Sequence, residues 1–163
     1  MKFQPLTRVT LFIRWYNSNV NKTERPPDDL LHEVSLRRTP MRLNVLKILI
    51  QDGQPLSAPQ ILERFDDGIH KVTLYRTLNT LTKKRLLHRV RGDDQIWRYG
   101  MGDPSGAARH EHAHFVCDEC GTVECMSDTP LPEKMAKRSK PRPGYTVAYS
   151  EVLVHGTCPD CHR

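Results

Sequence analysis

Three stretches of the first hundred residues repeat their apolar positions at helical spacing. In "TPMRLNVLKILIQDG" the repeat falls on Leu43, Leu46 and Ile50. Thr39 is placed to cap the helix, Pro40 suits its first turn, and Gly53 ends it. "SAPQILERF" predicts a shorter helix with Ser57 as cap and Ile61, Leu62 and Phe65 inward. "KVTLYRTLNTLTKKRLL" predicts a third, with Leu74, Leu78 and Leu81 forming one buried stripe at i, i+4, i+7. Its other face offers Thr73, Arg76, Thr77 and Thr80, groups that suit a nucleic-acid groove. The pattern then shortens. "LLHRV" and "QIWRY" flank "RGDD", which reads as two strands around a turn. Three helices followed by a β-hairpin is the order of a winged helix-turn-helix, in which one helix enters the major groove.

"GMGDPSGAAR", residues 100–109, is small and Gly-rich and reads as a hinge. Beyond it the pattern is mixed. "HAHFVC" and "TVECM" predict strands, "PEKMAKRSK" a short helix, and "YTVAYSEVLVHG" a long alternating strand. The expected fold class is therefore α+β. The composition of 1–28, polar and Pro-rich, predicts a disordered arm there. Residues 29–99 are expected to form the winged-helix domain, and 110–163 a small α/β domain. A unit of that size calls for a staple or a partner.

Charge sharpens this division. Residues 1–100 carry 18 Lys and Arg against 10 Asp and Glu, whereas 101–163 carry 7 against 9. Between Ile69 and Arg91 there are seven basic residues and no acidic one. A solvated charged face would also produce this pattern, but a polyanion partner for the first half is the more specific reading. Lys71, Arg76, Arg89 and Arg91 are the candidates for phosphate attraction, and Thr73, Tyr75 and Thr77 for base contact. Apolar runs are too short for a membrane span or a signal peptide, so a cytoplasmic protein is expected.

All five cysteines lie after residue 116. Cys117-Asp-Glu-Cys120-Gly and Cys158-Pro-Asp-Cys161 supply four thiolates, the number a closed tetrahedral zinc site takes. Iron fits four thiolates as well. A thioredoxin-like redox pair is disfavoured because Gly121 and a strand-like segment follow where a helix should. Cys125 remains over, with His110, His112 and His114. His112 and His114 lie two apart on one strand and face the same side. His88, on the first hairpin strand, can reach across the hinge and complete an N₃S set suited to zinc. His155 reads as a strand residue and Asp93 and Asp94 as turn residues.

Taken in order, T-x₂-R at Thr39–Arg42, Ser57-Ala58, "TLYRTL" at Thr73–Leu78, the His-rich stretch, C-x₂-C-G and the final C-x₂-C resemble the Fur superfamily. That family comprises the ferric uptake regulators and their zinc-sensing (Zur) and peroxide-sensing relatives. The resemblance covers about residues 30–163. It implies a homodimeric, metal-dependent repressor with a winged helix on an inverted AT-rich operator. It also implies an α/β dimerisation domain with structural zinc on Cys117, Cys120, Cys158 and Cys161, and a regulatory metal near the hinge. Tyr75 and Arg76 fall where the family's recognition helix touches DNA. His112, His114 and Cys125 fall at regulatory-ligand positions, and His88 where some zinc sensors place a ligand. This chain departs from the pattern in several places. Glu111 and Ala113 interrupt the usual histidine run. Gly100 stands where Glu or Cys is frequent, Pro55 where iron and peroxide sensors place a His, and Arg85 where a Gly precedes the hairpin. Cys125 replaces a frequent carboxylate. The thiolate at Cys125 and the His absent at Pro55 favour zinc over Fe²⁺ at the regulatory site, a Zur-like reading, with an iron- or other-metal-responsive member of the family as the alternative.

Other classes remain to be weighed. Base deaminases pair H-x-E with P-C-x-x-C, and this sequence has no H-x-E. A zinc-ribbon adaptor would account for the knuckles but not for the basic helix. Neither an enzyme nor a small-molecule substrate is expected.

Overall fold

The structure is a computed structural model describing residues 25–65, 68–104, 112–130, 143–146 and 151–162. Its first element, α1 (Pro27–Glu33), is one that periodicity did not predict. It begins inside the stretch expected to be a disordered arm, which corrects the 1–28 boundary. Two adjacent leucines, Leu30 and Leu31, hold it down by complete burial. Residues 1–24 of the expected arm lie outside the described residues.

Helix α2 (Pro40–Asp52) starts and stops where its sequence says. The Thr39 hydroxyl accepts from the Arg42 N–H, and Gly53 closes the helix at φ 75°. A two-residue strand β1 (Leu56–Ser57) leads into α3 (Ala58–Leu62). There Ser57 and Gln60 form a reciprocal capping box. Helix α4 (Lys71–Lys83) buries Leu74, Leu78 and Leu81, the predicted stripe. It also buries Thr77, so a base-contacting role for that side chain is withdrawn. Position 77 follows Leu74 by three residues, which brings it round to the same stripe.

Helix α4 ends in a Schellman motif: Leu86 N–H donates to the Leu81 carbonyl at 3.0 Å, and Arg85 N–H to that of Thr82 at 3.0 Å. The left-handed position of the motif is occupied by Arg85, at φ 60°, where glycine is the favoured residue. Strands β2 (Leu87–Arg91) and β3 (Trp97–Met101) then form the antiparallel hairpin, and β1 pairs with the outer edge of β3. Because β3 runs through Gly100 and Met101, the segment expected as a hinge begins two residues later than predicted. Fourteen buried side chains, mostly leucines from α1–α4, β2 and β3, make the first core. Burial of this kind contributes about 1.5–3 kcal/mol per large side chain.

The second sheet has the order β5-β4-β6, with β4 (His112–Cys117) central, β5 (Val123–Pro130) antiparallel and β6 (Leu153–Gly156) parallel to it. Its described core is small: Val116 and Val123, with Leu153 alongside and Val90 of the β2–β3 hairpin packed in. The short helix expected at "PEKMAKRSK" lies outside the described residues, as do residues 147–150 of the expected long strand. Tyr145, Thr146, Glu151 and Val152 are not in a strand, so among the described residues the strand is only Leu153–Gly156.

Alternation along β2 splits the hairpin between the two sheets. His88 and Val90 point to the second sheet and are buried; Arg89 and Arg91 point the other way and are exposed. One further contact ties the hairpin to the second unit, and another holds its turn. The Arg91 N–H donates to the Glu151 carboxylate, whose pKa is nevertheless raised by burial. Beneath the turn, buried Arg98 donates to Asp94 at 2.6 and 3.0 Å, and this bond holds the Asp94 carboxyl below its usual range.

Candidate metal centres

The four knuckle cysteines converge. Their Sγ atoms all lie within 4.8 Å of one another. Cys117 ends β4, and the turn that follows carries Cys120 and then Gly121 at φ 69°. Cys158 and Cys161 share a tight turn in which the Cys161 and His162 N–H groups both donate to the Cys158 carbonyl. Cys120 Sγ and Cys158 Sγ are 3.7 Å apart. A tetrahedral ion with ~2.3 Å Zn–S bonds sets neighbouring sulfurs about 3.8 Å apart. The Cys158 N–H donates to Cys117 Sγ at 3.3 Å. Backbone N–H groups, that of Cys120 foremost, pull the Cys117 thiol down to about 6. Its partner Cys161 is pushed up to about 12, chiefly by its hydrogen bonds to the Cys158 and Cys120 sulfurs. Four sulfurs this close cannot all ionise against one another, and a divalent cation removes that conflict. The Gly121 N–H does not face a sulfur, as its place in the motif suggests; it donates to the Cys117 carbonyl at 2.9 Å.

The structure also brings His88, His112, His114 and Cys125 together, one ligand atom from each within 4.8 Å of the others. His114 and Cys125 are register partners on β4 and β5, and His112 is two residues along β4 on the same face. His88 enters from β2. Its Nε2 lies 3.1 Å from His114 Nε2 and 3.5 Å from Cys125 Sγ. For zinc the corresponding tetrahedral edges are about 3.3 Å for two nitrogens and about 3.5 Å for nitrogen and sulfur. His88 Nδ1 lies 2.9 Å from the Met101 carbonyl, which can only accept. The proton is therefore on Nδ1 and the Nε2 lone pair faces the cluster. Burial lowers the His112 pKa and pushes the Cys125 thiol up to about 12. A neutral imidazole is what a metal takes; the thiol needs a cation beside it to give up its proton.

One departure from the family pattern acquires a physical reason here. Gly100 pairs with His88 across the hairpin, and a Cβ on Gly100 would stand 2.7 Å from His88 Cε1 and 3.0 Å from Nε2. Pro55 is the next neighbour, its Cγ 3.3 Å from that same Cβ position. The side chain missing at 100 leaves the space that the His88 ring fills.

A third group was not predicted. Asp93 in the hairpin turn, Asp118 after β4 and His155 on β6 gather at the surface, with His155 Nδ1 3.0 Å from Asp118 and 3.5 Å from Asp93. His155 and Asp93 are thus more than the plain strand and turn residues expected. All three are exposed, and their contacts are those of surface ion pairs, worth about 0–1 kcal/mol. No local motif could have announced them, because they lie on three separate elements.

The predicted DNA-facing residues divide. Lys71, Thr73, Tyr75 and Arg76 are exposed on α4, and Arg89 and Arg91 on the hairpin; Thr77 is not. Val72, which the sequence did not single out, is 61% exposed and stands three residues before Tyr75 at 46%. His110 lies outside the described residues.

Similar proteins bear on these sites. The ferric uptake regulator family model matches residues 33–154. A ferric uptake regulation protein of Synechococcus elongatus is 29% identical over 139 residues, covering 82% of this chain and 90% of that one. A zinc uptake regulation protein of Escherichia coli is 28% identical over 133 residues, covering 78% and 74%. Among solved structures, a zinc uptake regulator complexed with zinc and DNA superposes with a TM-score of 0.61 at 21% identity, covering 88% of this chain and 96% of that chain. With three quarters of its length inside the family model and both cysteine knuckles in place, the chain belongs to the ferric uptake regulator family, metal-dependent DNA-binding transcription regulators rather than enzymes.

Proposed function

We propose that this chain is a zinc-responsive repressor that binds an inverted-repeat operator as a homodimer. The amino-terminal unit is read as its winged-helix DNA-binding domain and the carboxyl-terminal unit as its dimerisation domain. The observation that carries this reading is the His88–His112–His114–Cys125 cluster. Its donors are three imidazoles and a thiolate with no carboxylate, a set that suits zinc better than Fe²⁺. The four-cysteine cluster is assigned to structural zinc.

The cluster's position supports a switch. Three ligands belong to the second sheet and one, His88, to the hairpin. The residues on either side in the same strand alternation, Arg89 and Arg91, present their charges to the opposite face. Zinc, when bound, supplies a fixed point that His88 shares with β4 and β5. Holding His88 holds the backbone of β2, and with it the angle at which Arg89, Arg91 and α4 meet DNA. Lys71 and Arg76 then add phosphate attraction, and Thr73 and Tyr75 face base edges. Coupling of this kind between two ligands is typically about 1–3 kcal/mol, or roughly five- to 150-fold in affinity.

A gel-shift in metal-buffered solution tests the reading, using duplexes enriched from a random pool by the zinc-loaded protein. Zinc should support the shift and Fe²⁺ should not. His88→Ala should retain the four-thiolate zinc, lose the other, and lose the zinc-dependent shift. A shift of equal strength in chelator would contradict the switch, and one supported by Fe²⁺ alone would reassign its metal.

A further inference from the structure

Arg89 and Arg91 present an unusual combination. Both are exposed, and among the described residues neither guanidinium has a carboxylate partner, Arg91 meeting Glu151 through its backbone N–H alone, whereas the Arg98 side chain on the same hairpin is buried and paired with Asp94. Unpaired surface arginines ordinarily sample many rotamers. Here both guanidiniums lie over one indole: Arg89 Cζ is 4.5 Å and Arg91 Cζ 5.2 Å from the ring centroid of Trp97. The backbone places them there. Arg91 is the register partner of Trp97 across the hairpin, and Arg89, two residues along, is its diagonal neighbour on the same face. Trp97 is itself anchored, half-buried against the leucine core. Arg91 has a second restraint, since its Nε donates to the Gln95 carbonyl at 3.1 Å.

We propose that Trp97 is a positioning residue for DNA binding: its indole holds Arg89 and Arg91 side by side as a preformed clamp for the phosphodiester backbone. The proposal rests on the DNA-binding reading above. The chemistry distinguishes a π-face from a carboxylate as a support. A carboxylate would order a guanidinium but neutralise it and compete with phosphate. The ring quadrupole orders the cation and leaves its N–H donors and charge free for an anion. It also offsets the repulsion of two like charges held over one ring. The rotamer freedom that two arginines would lose on meeting DNA is then largely lost beforehand, which raises affinity without adding a contact. Phosphate contacts carry no base information, so the gain falls on all duplexes alike.

The experiment is a mutant cycle on zinc-loaded full-length protein. Anisotropy is measured on a duplex enriched from a random pool by the wild type and on an unrelated duplex of equal length. The temperature is one at which every variant is folded by circular dichroism. Trp97→Leu should weaken both duplexes by on the order of tenfold, leaving their ratio unchanged, and Trp97→Phe should recover much of the loss. In an Arg89→Ala/Arg91→Ala background, Trp97→Leu should have no further effect. A Trp97→Leu protein that binds like the wild type overturns the proposal. So does one whose loss is undiminished in the arginine-free background, because the tryptophan would then act through packing alone. If the wild type enriches no duplex in zinc, the DNA-binding reading itself falls. If it does and the double alanine variant binds equally well, only the clamp falls.

Discussion

The two halves of this molecule solve the same problem with different chemistry. The first buries fourteen side chains, ten of them leucines, drawn chiefly from four helices and three strands. The second has three valines at its described centre, one of them borrowed from the hairpin, and gathers near them two clusters of four Cys and His side chains that could hold a metal, His88 among them also contributed by the hairpin. A leucine core needs no bound solute to hold it together. A fold that depends on thiolates and imidazoles in register is stable only as far as something holds those groups together. Dependence on a solute, placed in one half and passed to the other through one strand, is what makes a sensor from two small units.

The comparison can be broken at either end. Cys158→Ser should have the largest effect. With one knuckle sulfur gone the second sheet should lose its fold at room temperature, since structural zinc sites contribute on the order of 10 kcal/mol. Amide exchange should show protection lost from β4–β6 and kept in α2 and α4; protection kept in both would contradict the assignment. Leu78→Ala is the mirror experiment. It truncates a fully buried side chain and should cost about 2–5 kcal/mol of the first unit's stability, read by chemical denaturation. The zinc content per chain should be unchanged. Gly100→Ala leaves both cores intact but drives a methyl into the His88 ring. Zinc affinity at the second site should fall about ten- to hundredfold by competition with a chromophoric chelator, with the four-thiolate zinc retained. Arg85→Gly should be smallest and opposite in sign. Relieving a non-glycine left-handed residue should stabilise the first unit by about 1 kcal/mol, visible as a higher Tm.

The sequence and the structure agree most closely where the signal is local. Thr39 and Gly53 bound α2 as read, and the Leu74–Leu78–Leu81 stripe is buried. Both ligand clusters assemble from residues that spacing and resemblance had selected. What escaped the sequence is long-range or lacks periodicity. Helix α1 is two turns held by two adjacent leucines, too short to show a repeat. Thr77 looked polar and therefore outward, yet it sits one helical step from Leu74 and turns in with it. The Asp93–Asp118–His155 group and the Val90 contact exist only because the hairpin docks on the second sheet, a tertiary fact no window of sequence contains. Gly100 reads in the sequence as a missing ligand; in the structure it is room for the His88 ring.

If metal occupancy and DNA binding are joined through β2, the coupling must run both ways. The most direct test is to measure zinc affinity at the His88–His112–His114–Cys125 site with and without a saturating enriched duplex. DNA should tighten zinc by the same factor by which zinc tightens DNA. A zinc affinity indifferent to DNA, in a protein that nevertheless binds that duplex, would contradict the coupling.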